Sequence, residues 1–323
     1  MEPSYGQPAM TVAQRVRRMA VPVLATGLLA LFLTVGALGL VHYLRGYWLY
    51  RGFPPPADPS FVTAKGTTER ISVTSAALGG RSQEVLVYLP PGYRTHPRER
   101  YPVFYLLHGV PGLPNAFLLT VRAGVVEDVL VARHTARPMI LVMPMGSTGQ
   151  FTDKEWVNGV RPHEGWATFL WRDVVRAIDT RFRTIRSGAG RAIGGLSEGG
   201  YGAIDIALQH PREFRVVESW SGYQLADPVP AVFGHDRALI ARDSPLLQLR
   251  RDAAALRKAH DYFWFYSGSA DPLQAQNAQF AKLLGALRIP YRYRELPGGH
   301  NWALWRDQAA KSLLAASRRI GRA

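Results

Sequence analysis

The sequence predicts an α/β domain on a mostly parallel eight-stranded sheet with helices on both faces, preceded by one N-terminal transmembrane helix. Three observations predict it. From residue 61 onward, short β-rich runs alternate with runs of helical length, the pattern of strand–helix–strand units. Five of the short runs are almost continuously apolar, as strands covered on both faces must be. Ahead of them, residues 20–44 carry no formal charge over about 25 positions, more than the roughly 20 a helix needs to cross a bilayer.

Residues 1–19 are expected to be a cytoplasmic segment, because Arg15, Arg17 and Arg18 precede the apolar run and only Arg45 and Arg51 follow closely. The anchor takes residues 20–44, with Tyr43, Tyr47, Trp48 and Tyr50 as an aromatic belt at the outer interface. Val35-Gly36-Ala37 resembles a small-residue cleavage site, so a signal sequence is the alternative. The run is longer than the usual apolar core of such a peptide, which favours the anchor. The expected location is the cell membrane, single-pass with the main domain outside; cleavage would make the protein secreted. Residues 45–60, with Phe53-Pro-Pro-Pro-Ala-Asp-Pro59, read as a stiff proline-rich linker, and residues 61–323 as one catalytic domain.

Within that domain, Glu69–Leu78 and Glu84–Leu89 read as two strands joined by a Gly79-Gly80 turn. The apolar runs Val103–Leu107, Met139–Met143, Ala192–Leu196, Val216–Trp220 and Tyr262–Tyr266, followed by Tyr291–Glu295, supply six more. Helices are expected over Gly124–Arg133, Trp166–Phe182, Gly200–Gln209 and Asp271–Leu287. The chain has no cysteine, which excludes a disulfide scaffold, a cysteine nucleophile and thiolate metal sites. Its 39 Lys+Arg against 24 Asp+Glu give a formal charge of +15. An anionic envelope surface or membrane fits that balance. No run of consecutive basic residues resembles a nucleic-acid-binding arm, so nucleic acid is not expected as a partner.

Gly195-Leu196-Ser197-Glu198-Gly199 fits G-x-S-x-G, between a strand-like run and a helix-like one. That context is what a nucleophile elbow requires: a sharp strand-to-helix turn that leaves the serine hydroxyl exposed. A serine at neutral pH needs a base, and the base needs an orienting acid. In the α/β-hydrolase order of Ser, acid, His, only His300 follows the last strand, on a loop that Gly298 and Gly299 let turn back. The other eight histidines, His108 and His210 among them, read as structural or surface residues. Asp271 follows the seventh strand and is the expected acid; it could instead cap the next helix, with Asp227 in reserve. The oxyanion hole calls for two backbone donors. Glu198 N–H is the first; Val110 is the second, ahead of Gly109, because Pro111 has no N–H. The Glu198 side chain reads best as a carboxylate at a helix N-terminus, otherwise as a charge that tunes the site or binds a cation. No H-E-x-x-H or comparable ligand cluster appears, so neither metal nor cofactor is expected.

Taken with these motifs, the chain resembles the esterase D and antigen 85 group of α/β-hydrolases over about residues 69–308. The pieces are Tyr105-Leu-Leu-His-Gly109, Gly165-Trp-Ala-Thr-Phe-Leu170, Gly195-Leu-Ser-Glu-Gly-Gly-Tyr-Gly-Ala203, His210-Pro-Arg-Glu-Phe214, Ser221-Gly222 and Gly299-His-Asn-Trp302. Phe151-Thr-Asp-Lys-Glu-Trp156 ahead of the Gly165-Trp166 helix looks like the mycolyltransferase branch, which moves long acyl chains to cell-wall acceptors. The resemblance implies Ser197 as nucleophile, His300 as base, and Val110 and Glu198 as oxyanion donors. Asp271 stands where the mycolyltransferases use a glutamate, closer to esterase D-like members, and Glu198 replaces the methionine common after the serine. The expected function is a serine esterase or acyltransferase acting on acyl esters of the envelope, lipid or glycolipid. A catalytically silent envelope-binding module on the same fold is the alternative. Trp156, Phe117, Leu118, Trp166 and Trp302 are the candidate pocket residues, each as readily a core residue.

Overall fold

A computed structural model describes residues 11–51, 58–259 and 261–321. It divides into two units, Met1–Phe53 and Pro54–Ala323. The described residues of the first form helix α1 (Val12–Arg51), whose stretch Ala20–Val41 has a mean hydropathy of 2.3 and is long and apolar enough to cross a membrane. Its two hydroxyls turn inward: Thr26 and Thr34 each donate to the carbonyl four residues back, at 2.8 Å. The helix therefore presents no unsatisfied side-chain donor over this stretch. The side chains of the expected aromatic belt, residues 52–57 of the linker, and His260 lie outside the described residues.

In the second unit eight strands form one sheet. They are β1 (Thr67–Ser75), β2 (Arg81–Leu89), β3 (Val103–Leu107), β4 (Ile140–Pro144), β5 (Arg191–Leu196), β6 (Val216–Trp220), β7 (Tyr262–Gly268) and β8 (Tyr291–Leu296). Their spatial order is β1-β2-β4-β3-β5-β6-β7-β8, that of an α/β-hydrolase. β1 and β2 pair antiparallel, β2 pairs antiparallel with β4, and every pair from β4 to β8 is parallel. Parallel strands put all their C-terminal ends on one edge, so the loops after β3, β5, β6, β7 and β8 converge there. The hairpin differs from the sequence expectation in one respect. β1 ends at Ser75, and Ala76–Leu78 form a 3₁₀ turn that buries Leu78; Gly79 and Gly80 then adopt φ of 66° and 81°.

The connecting helices are α2 (Ala123–Ala132), α3 (Trp166–Thr168), α4 (Val175–Arg181), α5 (Glu198–Gln209), α6 (Pro230–Phe233), α7 (Arg237–Arg242), α8 (Pro245–Ala259), α9 (Gln274–Ala286) and α10 (Trp302–Ser317). A wider π turn, Phe169–Val174, joins α3 to α4, so the expected 166–182 helix is present in three pieces. The sequence reading missed α6, α7, α8 and α10. α10 is informative, because much of its buried stripe is Gln308, Ala309, Ser312 and Ala316, with only Leu304, Trp305 and Leu313 as large apolar members. α2 and α10 cover one face of the sheet, and α3, α4, α5, α8 and α9 the other.

A carboxyl group sits in that core. Glu218 of β6 is fully buried, accepts hydrogen bonds from Ser312 of α10 and from Trp220, and leaves Oε1 without a partner. Burial pushes its pKa from 4.5 to about 8, with the two hydrogen bonds opposing the rise. Between those values the unfolded chain has released the proton and the folded chain keeps it, so stability falls as pH rises across the window. Glu218→Gln is expected to make this decline shallower by up to about 1.4 kcal/mol per pH unit. Urea unfolding at several pH values from 5 to 8 measures it; parallel curves for the two proteins would contradict it.

Candidate active site

The site is assembled at the C-terminal edge of the sheet. β5 runs into Ser197, which holds φ 54° and ψ −124°, and α5 starts at the next residue. A serine in this strained region is held by its surroundings. Ser197 N–H continues the β5–β6 ladder to the Trp220 carbonyl at 3.0 Å, while its own carbonyl accepts from Gly200 and Tyr201 at 2.9 and 3.1 Å. The two motif glycines answer a steric demand. A Cβ on Gly195 would lie 2.4 Å from the Leu107 carbonyl oxygen, and one on Gly199 only 2.0 Å from it. The end of β3 thus presses directly on the elbow.

The loops after β7 and β8 are zipped together by Ser269 N–H to the Leu296 carbonyl at 2.7 Å and Ala270 N–H to the Gly298 carbonyl at 2.9 Å. Gly298 takes φ 126° to allow it. This seam brings His300 against Asp271. His300 Nδ1 lies 3.1 Å from Asp271 Oδ2, and Nε2 lies 2.9 Å from Ser197 Oγ. The network fixes one tautomer: Nδ1–H donates to the carboxylate, and Nε2 accepts from the serine hydroxyl. Asp271 does not cap α9, whose N-cap is Leu273; its Oδ1 instead accepts Leu273 N–H at 2.9 Å in the turn just ahead of the helix. Oδ2 is thereby left to face His300. Burial raises the Asp271 pKa, but the hydrogen bonds from His300 and Leu273 outweigh it and hold the carboxyl below its ordinary value. Ser221, at φ 58° in the turn after β6, stands beside the same carboxylate. The sequence reading had quoted Ser221 only as part of a family motif. Asp227 is exposed and makes no bond to His300.

The loop after β3 is braced from beneath by His108. Burial lowers its pKa to about 4, so the ring is neutral. Nδ1–H donates to the Gly109 carbonyl and Nε2 accepts Gly146 N–H, each at 3.0 Å. Trp156 Nε1–H reaches the His108 carbonyl at 3.0 Å, and Gly112 N–H reaches the Gln150 carbonyl at the same distance. A Cβ on Gly109 would stand 3.0 Å from Ser197 Cβ, so the loop lies against the nucleophile. Among the described residues, neither Val110 N–H nor Glu198 N–H donates to an acceptor in the protein.

The Glu198 side chain stands in the first turn of α5, as the sequence suggested, but inside the protein. It is buried, with Oε2 unpartnered, near Asp153 and Glu155, and Tyr223 donates to Glu155 Oε2 at 2.6 Å. Burial, and then the charge of Asp153, raise its pKa well above the ordinary value. It is therefore not a solvated carboxylate at a helix end, nor an open receptor for a cation. The pocket candidates also need correction. Trp156, Phe117 and Trp166 are core residues: Trp156 lies under the elbow, Phe117 packs edge-on against Trp220 at 5.9 Å, and Trp166 bonds Glu164 at 2.7 Å. Leu118 and Trp302 keep partial exposure. Trp302 meets Trp305 edge-on at 5.0 Å, and Trp305 meets the His300 ring at 5.1 Å.

The "Esterase" family model, described as Putative esterase, matches residues 75–316. An esterase of Mycobacterium tuberculosis is 29% identical over 251 residues, 68% of this chain and 53% of that protein. The chain thus spans about half the length of the curated relatives it matches first. A ferulic acid esterase of known structure is 25% identical with a TM-score of 0.70, covering 80% of this chain and 100% of its own. An S-formylglutathione hydrolase from Agrobacterium tumefaciens, at 18% identity, has a TM-score of 0.68 and covers 83% and 98%. At that identity the likeness shows the fold.

The packing of β3 on the elbow has a measurable consequence. Gly199→Ala must move either the Leu107 carbonyl or the start of α5. It is expected to destabilise the fold by about 3 kcal/mol, read as a lower denaturant midpoint. Unchanged stability would mean the contact relaxes freely.

Proposed function

The chain belongs to the esterase family of α/β-hydrolases, and on that premise we propose that it is a membrane-anchored serine esterase or acyltransferase acting on acyl esters outside the cytoplasm. The observation that carries the proposal is the His300 bridge, 2.9 Å to Ser197 Oγ on one side and 3.1 Å to Asp271 on the other. Ser197 Oγ attacks the ester carbonyl as His300 Nε2 takes its proton. Asp271, held ionised, keeps the ring in the accepting tautomer and stabilises the imidazolium. The N–H groups of Val110 and Glu198, which have no acceptor among the described residues, would take the oxyanion. Collapse of the tetrahedral intermediate expels the alcohol, which receives the proton from His300, and leaves an acyl-enzyme. Water or a second alcohol then attacks the acyl carbon by the same path in reverse. The ferulic acid esterase among the structural neighbours supports carboxylic-ester cleavage. Helix α1 supports a membrane setting, and with it a lipid or glycolipid ester as substrate.

Fluorophosphonate labelling should attach to Ser197 and vanish in Ser197→Ala, with hydrolysis of short p-nitrophenyl esters lost alongside it. Asp271→Asn should lower kcat by about 10³–10⁴-fold while the fold persists, because amide in place of carboxylate favours the wrong tautomer. A folded protein that neither labels nor turns over these esters would overturn the enzymatic reading and favour a silent binding module. Membrane attachment is a separate matter. Full-length protein should stay in the pellet after carbonate extraction, with its N-terminal peptide intact by mass spectrometry; a mature chain starting after Ala37 would show a cleaved signal instead.

A further inference from the structure

β8, the edge strand, and α10 bring five cations into one cleft of about 250 Å³. Arg292 and Arg294 alternate along β8 and so share a face. Lys311 lies on α10, Arg318 caps that helix two turns further along the same stripe, and Arg319 follows it. Tyr262 and Trp264 form the floor, with the Arg319 guanidinium 3.7 Å from the Tyr262 ring centre. Trp302 opens α10 beside the active site, and Arg318 lies 16 residues further on, about 24 Å along the axis. The cleft is therefore at the opposite edge of the sheet from Ser197.

The charge in this cleft is not balanced. Among the described residues, the only ion pair to any of the five is Lys311 to Asp307, at 4.0 Å and exposed. Glu295 projects to the other face of β8 and is taken by Gln274 at 2.5 Å. Glu218, buried near Tyr262, keeps its proton near neutral pH. A charged edge strand does blunt sheet-to-sheet pairing, and a helix C-terminus does favour cations. Those effects account for Arg292 and Arg294 separately from Arg318 and Arg319. They do not account for both sets, with Lys311, facing the same space. Like charges held together repel, and a multivalent anion relieves that repulsion. Guanidinium groups match phosphate oxygens in paired hydrogen bonds, and the aromatic floor suits the carbon part of such a ligand.

We propose that this cleft is a binding site for a phosphate-bearing anion, gripped by Arg292, Arg294 and Arg318 and separate from the ester-cleaving centre. The test uses the full-length chain in nonionic detergent. One titration adds inorganic pyrophosphate, and another dopes the micelles with phosphatidylglycerol. Arg292→Gln/Arg294→Gln is compared with Arg250→Gln/Lys258→Gln, which removes the same charge from the exposed side of α8. At least one titrant should bind saturably, with about tenfold weaker affinity in the cleft variant and little change in the control. Binding of pyrophosphate alone identifies a small soluble phosphate; binding of phosphatidylglycerol alone identifies a lipid headgroup; either supports the site. No saturable binding by the wild type, or an equal loss in both variants, overturns it. Unchanged p-nitrophenyl ester hydrolysis in the cleft variant separates lost binding from misfolding. Lys311→Gln/Arg318→Gln supplies an independent pair if the first variant melts early.

Discussion

The Leu107 carbonyl pressing on the nucleophile turn is the contact on which the site depends. A Cβ at Gly195 or Gly199 would stand 2.4 or 2.0 Å from that oxygen, so β3 and β5 can end at the same depth only with glycine at both positions. From this one approach follow three things. Ser197 is forced to positive φ and its hydroxyl is lifted off the strand. The loop after β3 is delivered beside it, with Gly109 against Ser197 Cβ. Helix α5 is driven into the interior, buried from Glu198 through Leu208. Strain at one residue is thus held by the packing of a whole sheet.

Around that contact the protein arranges titratable groups by burial. His108 is kept neutral so that it can accept from Gly146 and donate to Gly109 at once; a charged ring could only donate. Asp271 is held in the opposite sense, as a carboxylate, because hydrogen bonds to its charged form outweigh its desolvation. Glu198, one residue from the nucleophile, is pushed toward its neutral form by burial near Asp153 and Glu155. The negative charge nearest His300 is therefore that of Asp271, placed to stabilise an imidazolium when one forms.

The +15 charge is also sorted by the fold. Some cations are internal struts, such as Arg191, which bridges Asp179 at 2.6 Å and Glu213 at 3.0 Å. Others are gathered with, among the described residues, a single exposed ion pair between them, and the β8–α10 cleft is where strand alternation and helix periodicity place them together.

Much of the site was legible before the fold was known. G-x-S-x-G between a strand and a helix, one histidine after the last strand, and one aspartate after the seventh are local patterns, and chain order alone identifies their roles. The apolar runs located five strands because a doubly covered strand must be apolar throughout; β8, at the sheet edge, is charged instead. What stayed hidden was whatever depends on the partner surface. α10 went unread because its buried stripe is rich in Ala, Ser and Gln, residues that fit only against a sheet already in place. Whether Trp156, Phe117 and Trp166 line a pocket or fill the core is open in the sequence, because an aromatic side chain carries no mark of what it will pack against; all three are buried. The sequence by itself determined the family's motifs and their order, since the residues proposed as nucleophile, base and acid are residue types at the ends of recognisable strands. Only the tertiary structure decided which carboxyl groups stay charged and which cations converge, because burial and proximity arise only when distant segments pack together.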